Sequence, residues 1–378
     1  MLKQYLLVSL LLTLLLPLRS QDSLRISGLL SAWANVNKSS NLPLWAGGRY
    51  IPQINAGKEI PGDRKIDMEV SLDIYGSAGT DPFDTIYYSG KIKPYRAWVR
   101  YSGDQFELRL GLQRISFGSA SLLRPLMWFD QIDPRDPLKM TDGVWGLLGR
   151  YYFTGNANIW LWGLYGNSKK KGWESIPVNR DVPEFGGRLQ IPVPGGEAGI
   201  SYNHRVADSR NSGLPIPEYD KIGENRFGID AKWDLVAGVW IEGSYAKKNR
   251  NSGFLNNELA INAGIDYTFP AGNGLYAGFE QLLVSYDEQA FRFGNRRTFS
   301  LLTANYPLGL SDRLSTFIYY DWEGKSVYTF LNWQKQYDRI VFYIMAYLNP
   351  ETVLLPSQSG SGNLFSGKGI QLMFVFNH

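Results

Sequence analysis

Charged and apolar side chains alternate along many segments of this sequence, and that spacing limits the chemistry the charges could perform. In "FELRLGLQ" the polar positions are Glu107, Arg109 and Gln113, separated by apolar residues. Side chains of a β-strand point to opposite faces at every second residue, so these groups would share one face. Guanidinium groups on one wall attract anions and donate hydrogen bonds to sugars. We therefore expect these groups to select solutes by charge and hydrogen bonding, without a covalent step.

Residues for enzyme catalysis or metal binding form no recognisable motif. The chain has two histidines and no cysteine, and it contains no Gly-x-Ser-x-Gly, phosphate-binding loop or metal-spaced histidine cluster. His378 ends the chain, and His204 in "GISYNHRV" shares the phase of Ile200 and Tyr202, which predicts an outward position. We expect neither enzymatic activity nor a metal or cofactor. Wall carboxylates could in principle form an acid pair, but nothing in the sequence distinguishes such a pair from lumen charge.

The elements that would position the charges are short segments of period two. The clearest is "IDMEVSLDIY", with Ile66, Met68 and Val70 on one face and Asp67 and Glu69 on the other. Such segments predict eighteen strands, at 24–36, 45–57, 65–76, 92–102, 105–116, 143–154, 157–167, 184–192, 196–206, 225–235, 238–249, 256–268, 273–286, 296–307, 312–323, 325–337, 338–349 and 367–376.

The connections between these segments alternate in length. Even-numbered connections are short and rich in turn residues, as in "PGDR", "TGN" and "PAGN", and nearly all long ones are odd-numbered. Transmembrane barrels have short periplasmic turns and longer external loops. The fold class we predict is all-β: a transmembrane antiparallel up-and-down β-barrel of about eighteen strands. A secreted β-sandwich or solenoid is the alternative, but it would have to bury the apolar stripes of all these strands.

The N-terminal segment predicts export. "MLKQYLLVSLLLTLLLPLRSQDS" has the order of a secretory signal, so we expect a signal peptide at 1–20 and one barrel domain at 21–378. Removing Lys3 and Arg19 from 39 basic residues leaves 37 against 35 acidic ones, a net charge of +2. This balance argues against a nucleic-acid partner. The expected location is the outer membrane of a Gram-negative cell envelope, in contact with lipid and lipopolysaccharide.

The third external connection, residues 117–142, carries the apolar stretch "LLRPLMWF". Because such a stretch favours burial, we expect this loop to fold into the lumen and narrow it. Charged wall and loop residues would then form one constriction. The candidate constriction and selectivity residues are Arg96, Arg100, Arg109, Gln113, Arg124, Asp130, Asp133, Arg135 and Arg150.

The segment "LGLQRISFG" at 110–118 resembles the pattern Gly-Arg-Gln-x-Ile-x-aromatic-Gly of alginate-export-like and related eighteen-stranded substrate-specific porins. The pattern is matched at Gly111, Gln113, Ile115, Phe117 and Gly118, and Leu112 stands where the pattern has arginine. The resemblance implies passive diffusion of a small polar solute, either anionic or a saccharide. The alternative is a non-transporting, plugged barrel that acts as a structural or assembly subunit, with homo-oligomers or other outer-membrane proteins as partners.

Overall fold

The computed structural model describes residues 23–38, 43–80, 86–210, 212–350 and 365–378. The predicted signal peptide lies outside them. The described chain forms one antiparallel sheet of eighteen strands in sequence order, which closes because β1 pairs with both β2 and β18. The strands are β1 Ser23–Asn37, β2 Leu44–Ile60, β3 Arg64–Thr80, β4 Ile86–Ser102, β5 Phe106–Gln113, β6 Val144–Tyr152, β7 Asn158–Leu164, β8 Glu184–Val193, β9 Gly196–Ala207, β10 Ile222–Asp234, β11 Gly238–Lys248, β12 Asn257–Phe269, β13 Leu275–Asp287, β14 Asn295–Pro307, β15 Asp312–Asp321, β16 Ser326–Gln336, β17 Ile340–Leu348 and β18 Lys368–Asn377.

The two faces of the strands differ in polarity as the sequence period predicts. On β11, Ile241 is 42% exposed on the outside whereas its neighbour Glu242 is fully buried inside. On β10, Phe227 and Ile229 are exposed and Asp230 is buried. An apolar outer face on a closed sheet is the arrangement that a bilayer requires, because every backbone polar group is paired within the protein. The predicted antiparallel barrel is confirmed.

Helices contribute little to the described part of the chain, where the element Gly253–Leu255 is a single 3-10 turn. Within these residues, no helix has the length and apolar character needed to cross a bilayer.

Most predicted strand limits differ from the observed ones by a few residues, and the largest difference lies in the β3–β4 hairpin. β4 begins at Ile86 rather than at residue 92, and Thr80 pairs with Ile86, so much of the loop predicted at 77–91 is strand. Ile86 and Tyr88 are exposed there. Residues 86–92 of β4 are exposed at every position, so this part of the strand has no buried face and leaves no apolar alternation for the sequence to show.

The two ends of the barrel differ in their connections. Connections of at most five residues join β2 to β3, β4 to β5 and every later even strand to its successor, and they define the short-turn end. The longer connections define the long-connection end, and they include residues 114–143 between β5 and β6 and residues 165–183 between β7 and β8. β5 ends at Gln113, earlier than predicted, which lengthens the third of these connections.

Candidate functional site

The 114–143 connection is hydrogen-bonded to inward side chains of strands far from its own. Leu122 and Leu123 donate their backbone N–H groups to the carboxylate of Glu280 on β13, at 2.9 and 2.8 Å. Ala120 and Leu126 donate to Glu242 on β11, at 2.8 and 2.6 Å. Four strands separate β6 from β11. The inward carboxylates of one wall therefore bind a segment that begins and ends on another.

The apolar residues of this connection are buried in two clusters. Leu126, Trp128 and Phe129 pack against Trp162 and other residues of β6 and β7, with the Phe129 and Trp162 ring centroids 5.3 Å apart. Trp128 satisfies its indole N–H by donating to the Ser244 hydroxyl at 2.9 Å. Leu123 packs on the opposite side, against a second apolar cluster on β12 to β16. Burial of these side chains removes apolar surface from water, which explains why "LLRPLMWF" can occupy a connection.

The 165–183 connection packs beside the first one. Trp173 donates its indole N–H to the Arg124 carbonyl oxygen at 2.6 Å. Lys171 pairs with Glu184 at 2.8 Å, and Glu174 pairs with Arg205 on β9 at 3.4 Å. These charges are buried, so each partner is needed to offset the desolvation of the other. The two connections together cover the part of the inner wall formed by β6 to β12.

Five of the predicted selectivity residues are buried and engaged in structural contacts. Within the 114–143 connection, Arg124 pairs with Asp130 at 2.9 Å. Gln113 is fully buried and donates to the backbone carbonyl oxygens of residues 109 and 146. Arg96 donates to the carbonyl oxygens of residues 95 and 141. Arg135 is buried and pairs with Asp133 at 2.8 Å. These contacts hold the connection together and leave little of these groups for a solute.

The other three predicted arginines form a cluster on the wall. Arg100, Arg109 and Arg150 converge on the carboxylate of Glu107, at 3.3, 3.2 and 3.1 Å. Arg100 also pairs with Asp67 at 2.6 Å. The cluster lies near the short turn at 103–105, and the loop arginines are paired within their own connection. Among the described residues no ion pair joins the wall cluster to the loop arginines, and their joint constriction stays a prediction.

Two cavities of similar size lie beside the 114–143 connection. The long-connection cavity, of about 660 Å³, reaches from Arg49 and Tyr75 on the wall to Lys169 in the 165–183 connection. The short-turn cavity, of about 630 Å³, reaches the turns at Asn273 and Pro307. Residues that line both cavities are Asp136 and Pro137. The two cavities are therefore adjacent at this point of the connection, beside the walls formed by β1 to β4 and β12 to β18.

The long-connection cavity is lined by charges of both signs, most of them paired. Asp73 pairs with Arg49 at 3.0 Å and with Lys93 at 3.5 Å. Asp142 pairs with Lys93 and, at 3.0 Å, with Lys169. Burial opposes ionisation of Asp142, but the two ammonium groups outweigh it and lower the pKa of this carboxyl below its ordinary value. Asp142 is therefore ionised at neutral pH and balances the lysines beside it.

Sequence reasoning missed the residues that line the junction of the cavities. Among the predicted selectivity residues, Asp133 lines the long-connection cavity. Asp136 and Arg49 also line it, but they were not among the predicted residues. The inward phase of β2 was not assigned, because its residues lack a clear apolar alternation. Asp136 lies in the run "DQIDPRDPLK", where neighbouring charges of both signs give no reason to prefer it over Asp130 or Asp133.

Comparisons with known proteins support the fold. No protein-family model matches the chain, and no curated protein matches its sequence. Among solved structures, OccAB1 of Acinetobacter baumannii is 10% identical with a TM-score of 0.58 over 95% of this chain and 96% of that chain. OmpT of Vibrio cholerae, an outer membrane protein in its trimer form, is 9% identical with a TM-score of 0.53 over 95% and 100%. An anion-selective porin from Comamonas acidovorans is 12% identical with a TM-score of 0.51 over 94% and 100%.

These identities are low enough that the likeness concerns the fold alone. The fold is that of outer-membrane porins, and the predicted multi-pass β-barrel of the outer membrane is confirmed at that level. The narrower resemblance to alginate-export-like porins stays a prediction.

Proposed function

We propose that this protein is an outer-membrane porin-like channel for passive diffusion of small polar solutes. The observation that carries the proposal is that Asp136 and Pro137 line two cavities, one of which reaches each end of the barrel. An eighteen-stranded barrel is wide enough for water unless something obstructs it. Here two connections cover the wall from β6 to β12, and the path would run along the opposite wall.

The solute class we propose is anionic or saccharide. Lys91 and Lys170 line the long-connection cavity and make no ion pair among the described residues, so their charge is available to a solute. Tyr75 and Trp33 line the same cavity and offer ring faces to a sugar. The fold match to a porin described as anion-selective is compatible with this preference.

Replacing Arg100, Arg109 and Arg150 together with glutamine tests whether the wall cluster contributes to selectivity. Three positive charges facing Glu107 and Asp67 leave an excess of one, so we expect the variant to show a lower anion preference. Reversal potentials across a planar bilayer under a salt gradient measure this preference. Lysine at the same positions, or glutamine at the exposed Arg64, Arg180 and Arg339, should change little. Equal reversal potentials for all variants would show that the cluster does not contribute to anion preference.

The second candidate function is a plugged barrel that serves as a structural or assembly subunit of an outer-membrane complex. It is favoured by the buried contacts of the 114–143 and 165–183 connections, which resemble a closed core more than a mobile loop. Exposed Ile86, Tyr87 and Tyr88 on the β3–β4 hairpin would give such a subunit, or a homo-oligomer, an apolar contact surface. Conductance of the purified protein distinguishes this candidate from a channel.

A further inference from the structure

Asp136 is the acid of the long-connection cavity that is held by backbone N–H groups and not by an ion pair with a described residue. Its carboxylate accepts the backbone N–H groups of Leu138 and Met140 at 3.0 and 3.3 Å, and it makes no ion pair within the described chain. Asp73, Asp133 and Asp142 line the same cavity, and each of them pairs with arginine or lysine. The one uncompensated negative charge among these four acids therefore stands where the two cavities meet.

Uncompensated positive charges lie on both sides of that junction. Lys91 and Lys170 line the long-connection cavity, and Lys139 and Arg313 line the short-turn cavity. None of these four groups forms an ion pair among the described residues, and all four are exposed. Along the proposed path the unpaired charges therefore follow the order positive, negative, positive.

This order disfavours a solute that carries charge of only one sign. Basic groups concentrate anions at each cavity, but a net anion must then pass close to the Asp136 carboxylate, where low local dielectric strengthens repulsion. A solute with both an anionic and a cationic group can orient so that each meets an opposite charge. The unpaired charges neither attract nor repel a neutral solute.

We infer that Asp136 is the specificity-determining residue of the path, and that it favours small zwitterions, such as free amino acids, over anions of the same size. The inference rests on the proposed channel function and, among small polar solutes, places zwitterions ahead of the anions proposed above. It assigns selectivity to the acid at the junction of the cavities, in addition to the arginines of the wall.

Ion selectivity gives the first test, with purified full-length protein in planar bilayers. Asp136→Asn removes the charge and keeps one of the two oxygens that accept the N–H groups of residues 138 and 140, and Asp136→Ser removes the charge with a smaller side chain that also keeps one oxygen. We expect both variants to raise the anion-to-cation permeability ratio several-fold. The matched control is Asp104→Asn, which removes an exposed aspartate from a short turn and should leave the ratio unchanged.

Solute preference gives the second test, as liposome swelling with three probes of one carbon skeleton. Glutamine is zwitterionic, glutaramate is the anion without the ammonium group, and glutaramide is neutral. For the unchanged protein we expect glutamine to enter several-fold faster than glutaramate, and we expect Asp136→Asn to abolish most of that difference while glutaramide entry stays the same.

The outcomes separate this inference from the function on which it rests. If the unchanged protein conducts ions but Asp136→Asn and Asp136→Ser behave like Asp104→Asn, the inference is wrong and the channel stands. If the unchanged protein neither conducts ions nor admits glutaramide, both are wrong. Faster entry of glutaramate than of glutamine into liposomes with the unchanged protein would also overturn the inference.

Discussion

Asp136 forms no ion pair with any residue that the structure describes, and this distinguishes it from the other acids that line the long-connection cavity. Carboxylates paired at about 3 Å, such as Asp73 with Arg49, present a nearly neutral pair to the lumen. The same reasoning applies to Arg124 and Arg135, which the sequence offered as selectivity residues and which are paired within their connection. The charged residues that can act on a solute are those left without a partner.

The charge of Asp136 should respond to mild acidification. Burial raises the pKa of this carboxyl above its ordinary value of 3.8, so it takes up a proton at a higher pH than it would in water. The groups around it are Asp133 and Lys139 on its own connection, Arg49 on β2, Arg313 on β15 and Tyr343 on β17.

We therefore expect anion preference to increase as pH falls through the weakly acidic range above 3.8. Reversal potentials recorded at a series of pH values measure it. In Asp136→Asn the increase should be absent over the same range. An equal increase in both proteins would assign the pH response to another group, such as Asp133.

Gly172 is a residue where the two inward connections touch. Its φ is +45°, and a Cβ atom built there would lie 1.6 Å from the carbonyl oxygen of Met127. Gly172→Ala must therefore displace one connection from the other, and we expect a loss of about 1 kcal/mol or more of stability beyond the backbone effect. Gly166→Ala is the matched control, because Gly166 also has positive φ, at +78°, but has open space around it. Thermal unfolding in detergent measures the difference, and equal losses would mean that the connections are not in contact.

At the level of elements, two buried carboxylates determine where the 114–143 connection lies. Glu242 and Glu280 each accept two backbone N–H groups, and such charge-assisted bonds are stronger than neutral ones. Because both acceptors stand on strands that are remote from β5 and β6, they fix the connection across the interior instead of along its own wall.

Replacing both acids, as Glu242→Gln with Glu280→Gln, should loosen the connection. A glutamine side chain offers one acceptor oxygen where the carboxylate offers two, so each position loses a hydrogen bond. We expect single-channel recordings to show larger conductance with more frequent transitions between levels. The control is Glu59→Gln with Glu218→Gln, two exposed positions. Recordings identical to those of the control would show that these carboxylates do not restrain the connection.

Most elements of the barrel could be predicted from sequence because period two records which face of each strand meets lipid. The first part of β4, residues 86–92, could not, since both of its faces are exposed and no alternation marks it. Burial of "LLRPLMWF" was expected from its composition. Its partners could not be foreseen, because contacts between the connection and β11 or β13 depend on how the sheet curves and closes.

For the whole molecule, closure of the barrel creates a site that no local segment encodes. Asp136 and Arg313 are far apart in the sequence but line the same short-turn cavity. They do so because the eighteen strands bring distant parts of the chain around a common space. Sequence could suggest that the lumen is charged, as it did from Arg100 and Arg109. It could not show that one part of the wall is covered by two connections while the other borders the cavities.

The central claim is that water and small solutes pass beside the 114–143 connection and do not depend on its removal. The direct measurement is planar-bilayer conductance of the full-length protein and of a variant lacking residues 119–142, each first checked for a folded barrel by heat-dependent electrophoretic migration. We predict a small, stable conductance for the full-length protein and a markedly larger one for the deletion variant. No conductance from the full-length protein, together with large conductance after the deletion, would contradict the channel and leave a plugged barrel.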